Sequence, residues 1–397
     1  MLKLTRLKLH KFPRVAPGTE LSFNGGHNIL LGINGSGKTT LLKLIARVVS
    51  GDFSDLNTAS FDLEYDLVDG QNAYQIHVRH PHADDSGEDE PSETTLTCTR
   101  EGLGPITFVH RLNTITEQQT AKIVSEALVS PLSLVPLGGQ AALIFFERYG
   151  LQPHFPYIQV ERMDEGTHWL TSVTDAAELD VIEPHTHRSG APSRFKNLIL
   201  QLLHGRPDRD VHVVESHDLP FLAQYAQILG FSAVSLQFEL RRRERVEPHH
   251  NRWRYVFGDF RVRLTKPDGT RLTHHELSFG QQRLLGFFYY CAMHRDVIIA
   301  DELCNGMHHA MIDRCLDEIG ERQAFLATQN PLLLDSIGFA DEEEVRRTFI
   351  LCATTVEQDR EQMTWRNMTS AEAAQFYRDY TVGISHVNEI LRSWGLW

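Results

Sequence analysis

The 397-residue chain predicts an α/β fold: a mostly parallel central sheet, an antiparallel β lobe and an inserted helical domain. Three observations carry this expectation. The apolar run "HNILLG" passes through a glycine-rich loop into "SGKTTLLKLIARVV", which has no breaker and apolar residues at helical spacing. A second apolar run, Val297 to Ala300, ends on two acids, as a buried strand delivering charge to its C-terminal edge would. Elsewhere, alternating runs bracket tight-turn dipeptides, the pattern of antiparallel hairpins.

In chain order, Leu2, Leu4, Leu7, Leu9 and Phe12 predict a strand with one slip of register. "ELSF" and the turn "NGG" lead into the buried strand before the glycine loop. Leu41, Leu42, Leu44, Ile45 and Val48 then mark one helical face. "FDLEYDL" and "AYQIHV" flank Asp69-Gly70 and predict a hairpin, and the acidic "HPHADDSGEDEPSET" predicts a mobile loop. From about Leu112 to Leu229 the pattern turns mainly helical, with "TAKIVSEALVSPL", "RFKNLILQLLHG" and "DLPFLAQYAQILG" as its clearest pieces. Strands return in "AVSLQFEL" and in "FRVRLTKPDGTRL", whose Pro-Asp-Gly marks a turn. Near the C-terminus an N-cap at Thr369 or Ser370 opens a helical pattern running through Phe376, Tyr377, Tyr380, Ile384, Val387, Ile390 and Leu391. The division expected is 1–111 for an N-terminal lobe, 112–230 for the helical insertion and 231–397 for a C-terminal lobe.

Composition narrows the functional classes. The apolar and charged fractions are those of a soluble globular protein, and no stretch approaches the roughly 18 apolar residues of a membrane span. The N-terminus lacks a basic start followed by an apolar run, so a cytoplasmic protein with no membrane partner is expected. Five scattered cysteines, none in a CxxC pair, argue against a disulfide framework or a zinc site. A formal net charge of -13 excludes a surface basic all over and confines any DNA contact to a local groove.

The glycine loop carries the clearest chemistry. "GINGSGKTT", Gly32 to Thr40, matches G-x-x-x-x-G-K-[ST], with a strand before it and a helix after it. Gly32, Gly35 and Gly37 let the backbone curl, so that successive N–H groups, those of Asn34, Gly35, Ser36, Gly37 and Thr40 among them, can face an anion at a helix N-terminus. Lys38 is expected on the β- and γ-phosphates of ATP, and the Thr39 hydroxyl on Mg²⁺. At the acidic pair, Asp301 is placed to hold Mg²⁺ through water and Glu302 to polarise an attacking water.

These motifs, taken with "ELSFGQQRLL" about 20 residues upstream of the acids and "FLATQNP" about 20 downstream, resemble the P-loop NTPase heads of the ABC type in the SMC, RecF and OLD-like superfamily. The resemblance is closer to the small AAA-type ATPases of bacterial anti-phage systems such as Septu and PARIS. It covers the first 50 residues and Phe257 to Pro331, and hardly touches the middle. It implies that Leu277 to Gln281 form the signature, Asp301 and Glu302 the Walker B acids, and Cys304 to His309 the D-loop region. It also implies that Ser278, Gly280 and Gln281 reach the nucleotide of a second, antiparallel head, giving a homodimer or higher oligomer through an ATP sandwich. Gln329 stands where such heads usually carry His. A Gln cannot take part in proton movement, so a slow ATPase is expected. The Q-loop glutamine stays open among Gln71, Gln75, Gln118 and Gln119.

Two functions compete on these grounds. In one, the head closes on ATP around double-stranded DNA in repair or anti-phage defence, with the basic stretch Glu239 to Arg254 tracking the phosphate backbone. In the other, it is a regulatory scaffold that binds and releases a separate effector protein, for example a nuclease, without binding DNA. The histidine pairs in "HPHADD" and "EPHTH" read as solvated loops. A transporter subunit is disfavoured by the distance from P-loop to signature and by the missing His.

Overall fold

The computed structural model describes residues 1–50, 53, 56, 59–70, 72–80, 93–100, 106–111, 173–174, 211–217, 219–247, 250–293, 296–304, 306–357, 360–383 and 386–396. The chain divides into two compact units. One comprises Met1–Leu143, Arg295–Cys304 and Ile319–Trp397; the other comprises Ile144–His294 and Asn305–Glu318.

The first unit holds two sheets around one apolar core. Strands β1 (Leu2–Lys11), β2 (Thr19–Ser22), β4 (Phe61–Asp69), β5 (Asn72–His80), β6 (Glu93–Arg100) and β7 (Ile106–Arg111) form an antiparallel sheet in the order β2-β1-β4-β5-β6-β7. The expected slip in β1 is a pair of bulges, between Leu4 and Arg6 and between Leu9 and Lys11. They keep Leu2, Leu4, Leu7 and Leu9 all buried on one face, which an unbroken alternation could not do. The hairpin at Asp69-Gly70 is present, with Gly70 in the left-handed region at φ +58°. Strands β6 and β7, which the sequence reading passed over, extend this sheet.

The second sheet is β13-β14-β3-β15-β16, with β3 (His27–Leu31), β13 (Val297–Asp301), β14 (Gln323–Ala327), β15 (Phe349–Glu357) and β16 (Arg360–Asn367). The first four are mutually parallel and β16 closes the edge antiparallel. Helix α1 (Lys38–Ser50) buries Leu41, Leu42, Leu44, Ile45 and Val48 completely, in one core with residues of β1, β4, β5, β13 and β14. The fully buried Gln323 side chain ties the sheets together: it donates to Leu4 O at 2.7 Å and accepts from Leu4 N at 2.7 Å.

In the second unit, strands β8 (Val173–Thr174), β9 (Val211–Ser216), β10 (Ala233–Glu247), β11 (His250–Thr265) and β12 (Arg271–Thr273) form an antiparallel sheet, with helix α2 (Pro220–Ile228) between β9 and β10 and helix α3 (Phe279–Met293) after β12. Residues 211–216 fall in the span expected to be helical but are a strand paired with β10. "VHVVES" is rich in β-branched residues, and a β10 partner was available to satisfy its backbone. The helix expected in "DLPFLAQYAQILG" is α2. The other two helical pieces, the "EPHTH" pair and residues 81–92 of the expected acidic loop lie outside the described residues, while that loop's ends are strand: His80 closes β5, and Glu93 and Thr94 open β6. The Asp268 carboxylate accepts from Thr270 N at 2.9 Å in the expected Pro-Asp-Gly turn, which holds its pKa below the usual range.

Helix α4 (His309–Ile319) belongs to the second unit as far as Glu318, and α5 (Pro331–Asp335), α6 (Glu342–Thr348), α7 (Ser370–Val382) and α8 (Val387–Ser393) complete the first unit. The C-terminal helical pattern is thus two helices. Gly383 ends α7 in the left-handed conformation at φ +69°, a C-cap that breaks the run the apolar spacing suggested. Thr369 is the N-cap, in a capping box with Glu372. Trp394 packs edge-on against Phe376 at 6.2 Å instead of standing free.

Candidate functional site

Three parallel strands bring the phosphate loop, the acidic pair and Gln329 to one sheet edge. In register, Asp301 lies beside Ala327 and Ala327 beside Leu30, so the loops that leave β13, β14 and β3 are neighbours. A parallel sheet needs crossovers between its strands, which is how residues some 260 positions apart become adjacent.

The loop after β3 curls as its glycines allow. Gly32, Gly35 and Gly37 have φ of +149°, +82° and +88°. A Cβ on Gly32 would collide with the Cys352 carbonyl, and one on Gly37 would come within 2.5 Å of Met363 Sδ, so both positions require glycine for space as well as for φ. Lys38, only 7% exposed, donates from Nζ to the carbonyls of Gly32 at 2.7 Å and Ile33 at 3.1 Å. Thr39 Oγ1 donates to Asp301 Oδ2 at 2.5 Å. That pair brings together two oxygen groups of the kind Mg²⁺ prefers, so Thr39 and Asp301 are the residues that would hold the cation. Asn34 and Glu302 are joined through Gln329, whose Nε2 donates to Asn34 Oδ1 at 2.6 Å and to Glu302 Oε1 at 3.1 Å.

Glu302 is one of two non-glycine residues with positive φ among the described residues, at +54°. Its N–H donates to Ala327 O at 2.8 Å, so the neighbouring strand holds this strained backbone in place. Such strain, about 1–3 kcal/mol, persists only where surrounding structure over-determines it and is concentrated at functional sites. Just beyond, Asn330 caps α5 through Leu332 N at 3.0 Å and donates to Cys304 O at 3.4 Å.

The segment expected to form the signature, Leu277 to Gln281, belongs to the second unit. A capping box on Thr273 and Glu276 sets a single 3₁₀ turn, His274–Glu276, before α3. Ser278 and Gln281 then close on each other: Ser278 N donates to Gln281 Oε1 at 3.0 Å and Gln281 N to Ser278 Oγ at 3.4 Å. Gly280 is a close-approach position, where a Cβ would collide with the Gly306 carbonyl; Gly306, at φ +76°, has no room for one beside the Phe279 ring. Thus Phe279 and Gly280 pack, ring and backbone, against Gly306, which fixes that residue against the start of α3.

The sequence reading missed the hairpin β15–β16 and with it Cys352, Thr354, Met363 and Trp365, which surround the phosphate loop. Thr354 Oγ1 donates to Gly35 O at 3.3 Å. Burial pushes the Cys352 thiol up to about 12. The short apolar, β-branched run "FILCATTVE" followed by "EQMTWRN" was the available signal. Of the open glutamines, Gln75 sits exposed on β5 opposite Asp66, while Gln71, Gln118 and Gln119 lie outside the described residues. The strand pair of the basic stretch is present as β10 and β11, its side chains outside the described residues. No helix among the described residues is long and apolar enough to cross a membrane.

Comparison with known families agrees with this geometry. Residues 6–135 match an AAA domain model, and residues 168–335 match a second, described as an AAA domain, putative AbiEii toxin, Type IV TA system. No curated protein matches the chain. Among solved structures, the chain is similar to an SMC head bound to the C-winged helix domain of ScpA, with 12% identity, TM-score 0.42, and 93% of this chain and 99% of that one covered. An SMC head with an extended coiled coil bound to the C-terminal domain of ScpA, from Pyrococcus furiosus, gives 12% identity, TM-score 0.39 and coverage of 96% and 100%. The SMC head domain from Thermotoga maritima gives 11%, 0.35, and 91% and 98%. With the strand, phosphate loop and helix in place and an AAA domain matched on each side of residues 136–167, the chain has the fold of a P-loop NTPase.

Proposed function

We propose that the protein binds ATP with Mg²⁺ and hydrolyses it slowly, and that two heads close on the nucleotide in DNA-linked repair or anti-phage defence. The observation that carries this reading is the Thr39–Asp301 bond at 2.5 Å, which joins the phosphate loop to the acidic strand beside Lys38. Lys38 would leave its loop carbonyls for the β- and γ-phosphates. Thr39 and Asp301 would hold Mg²⁺, which when bound neutralises charge on the phosphates. Glu302, held in its strained conformation, would accept a proton from the attacking water. Gln329 spends both amide hydrogens on Asn34 and Glu302, and it has no titrating group to move a proton, which supports slow turnover.

Ser278, Gly280 and Gln281 would act on the nucleotide of a second copy. Support for this comes from the residue types and from a helix N-terminus at Phe279, which favours an anion.

The second reading, a scaffold that binds and releases a separate effector without touching DNA, is favoured by the net charge of -13 and by the toxin–antitoxin description of the second matched model. Steady-state hydrolysis by the purified chain, with duplex DNA titrated in at low and then moderate salt, separates them. Stimulation that falls with salt supports the DNA reading. A flat response from an active enzyme supports the scaffold, and no Mg²⁺-dependent hydrolysis at all would sink both.

A further inference from the structure

The Lys38 ammonium is not idle. It satisfies two carbonyls of its own loop, Gly32 O at 2.7 Å and Ile33 O at 3.1 Å, and the same loop turns back on itself through Ser36 N to Ile33 O at 3.2 Å. When that ammonium turns to a phosphate, the Gly32 carbonyl in particular loses a charge-assisted donor in a tightly packed place. A buried acceptor left without a donor costs free energy, so a replacement is called for.

Two donors stand ready beside the loop. Trp365 is 3% exposed and Ser36 1%, and neither Trp365 Nε1 nor Ser36 Oγ has a hydrogen-bond partner among the described residues. Buried polar groups of this kind are rare enough to need a reason. Their positions supply one. A Cβ on Gly32 would lie 2.6 Å from Ser36 Oγ, and one on Gly37 would lie 3.2 Å from Trp365 Nε1. The indole therefore backs the last glycine before Lys38, and the hydroxyl sits against the residue whose carbonyl Lys38 now holds. Trp365 is kept there by β16, where it pairs with Cys352 in register, and Met363 of the same strand packs on Gly37 from the same side.

We propose that Ser36 and Trp365 are positioning residues for nucleotide binding: their side-chain donors take up loop carbonyls when Lys38 transfers to the phosphates. Neither side chain touches the ligand. They act by holding the loop in its phosphate-binding form, and in the absence of phosphate their unsatisfied donors disfavour the resting form. The proposal rests on the nucleotide-binding reading of the loop.

The signature of such a device is two effects of opposite sign. In Trp365→Phe the ring stays and the N–H goes, and in Ser36→Ala only the hydroxyl goes. Each variant should melt at the same temperature as the parent or higher, because an unsatisfied buried donor has been removed. Each should also bind ATP and inorganic tripolyphosphate more weakly, by about 3- to 10-fold, the worth of one hydrogen bond. Titration calorimetry and thermal unfolding on the full chain read both. Tripolyphosphate is included because the effect should follow the phosphates and not the base. Unchanged affinity in both variants, with the parent binding ATP, would overturn the proposal. So would weaker binding accompanied by a lower melting temperature, since that is what lost packing alone produces. If the parent binds neither ligand, the nucleotide reading itself fails.

Discussion

The phosphate-loop edge of the first unit and the signature segment of the second use polar side chains in opposite ways. At the loop edge the hydrogen bonds span the sequence: Thr39 reaches Asp301, and Gln329 reaches both Asn34 and Glu302. At the signature they are local, with Ser278 and Gln281 serving each other across three residues and Gln282 turning back to the carbonyls of His274 and Leu277. A site whose polar groups already converge from three strands can organise a ligand by itself. A helix start whose side chains cap their own backbone offers an anion seat, and the longer-range bond at Gln281, from Tyr225 Oη to its carbonyl at 3.0 Å, engages the backbone and leaves those side chains to each other.

The sharpest way to test that contrast is to remove chemistry from the convergent edge. Glu302→Gln keeps the side chain's shape and its link to Gln329 while deleting the base, so hydrolysis should fall by about 10²- to 10⁴-fold with ATP still bound. Phosphate release and equilibrium binding measure the two, and unchanged hydrolysis would remove Glu302 from the mechanism. Ser278→Arg should reduce turnover by about 10²-fold, as loss of a transition-state donor does, yet leave ATP affinity of the single chain intact. Mixing it with Lys38→Ala should then recover part of the activity in heterodimers of verified composition. No recovery would count against the two-headed arrangement. Lys38→Ala alone should weaken ATP binding by about 10- to 150-fold, the value of a charge-assisted bond.

Stability reads the contrast from the other side. Gly280→Ala places a methyl on the Gly306 carbonyl and should cost about 1–3 kcal/mol in thermal unfolding, with no change in the spacing of the loop-edge groups. The smallest effect belongs to Arg366→Ala. Arg366 donates to Glu372 at 2.7 and 2.8 Å and holds that carboxylate down to about 2, below its ordinary value of 4.5. A depressed carboxylate contributes stability that is present above pH 4.5 and is lost as pH falls toward 2. The substitution should therefore flatten the acid limb of the stability curve in that window, while costing under about 1 kcal/mol at neutral pH because the pair is partly exposed.

Local patterns were legible in the sequence where a short stretch carried both the geometry and its reason. The G-x-x-x-x-G-K-T loop, the α1 face, the Asp69-Gly70 hairpin and the Thr369 cap are all settled within a turn or two of chain, where propensity and periodicity act. Even the β1 bulge showed as a skipped beat between Leu4 and Leu7. The hairpin β15–β16 was harder, because "FILCATTVE" is as apolar as a buried helix segment and its partner "REQMTWRN" is largely polar. The strand at 211–216 was lost to the helical pattern around it.

The sequence by itself determined that a phosphate loop would form and which residue types it would present, because glycine torsions, a lysine and a hydroxyl at fixed spacing are local properties. It also placed Asp301 and Glu302 at a strand end. Only the tertiary structure decided that Thr39 bonds Asp301, that Gln329 bridges Asn34 and Glu302, and that Trp365 and Met363 back Gly37. Those pairings depend on strand order and register, which are set by how a whole sheet buries its apolar faces and pairs its backbone, and no short stretch of chain contains that information.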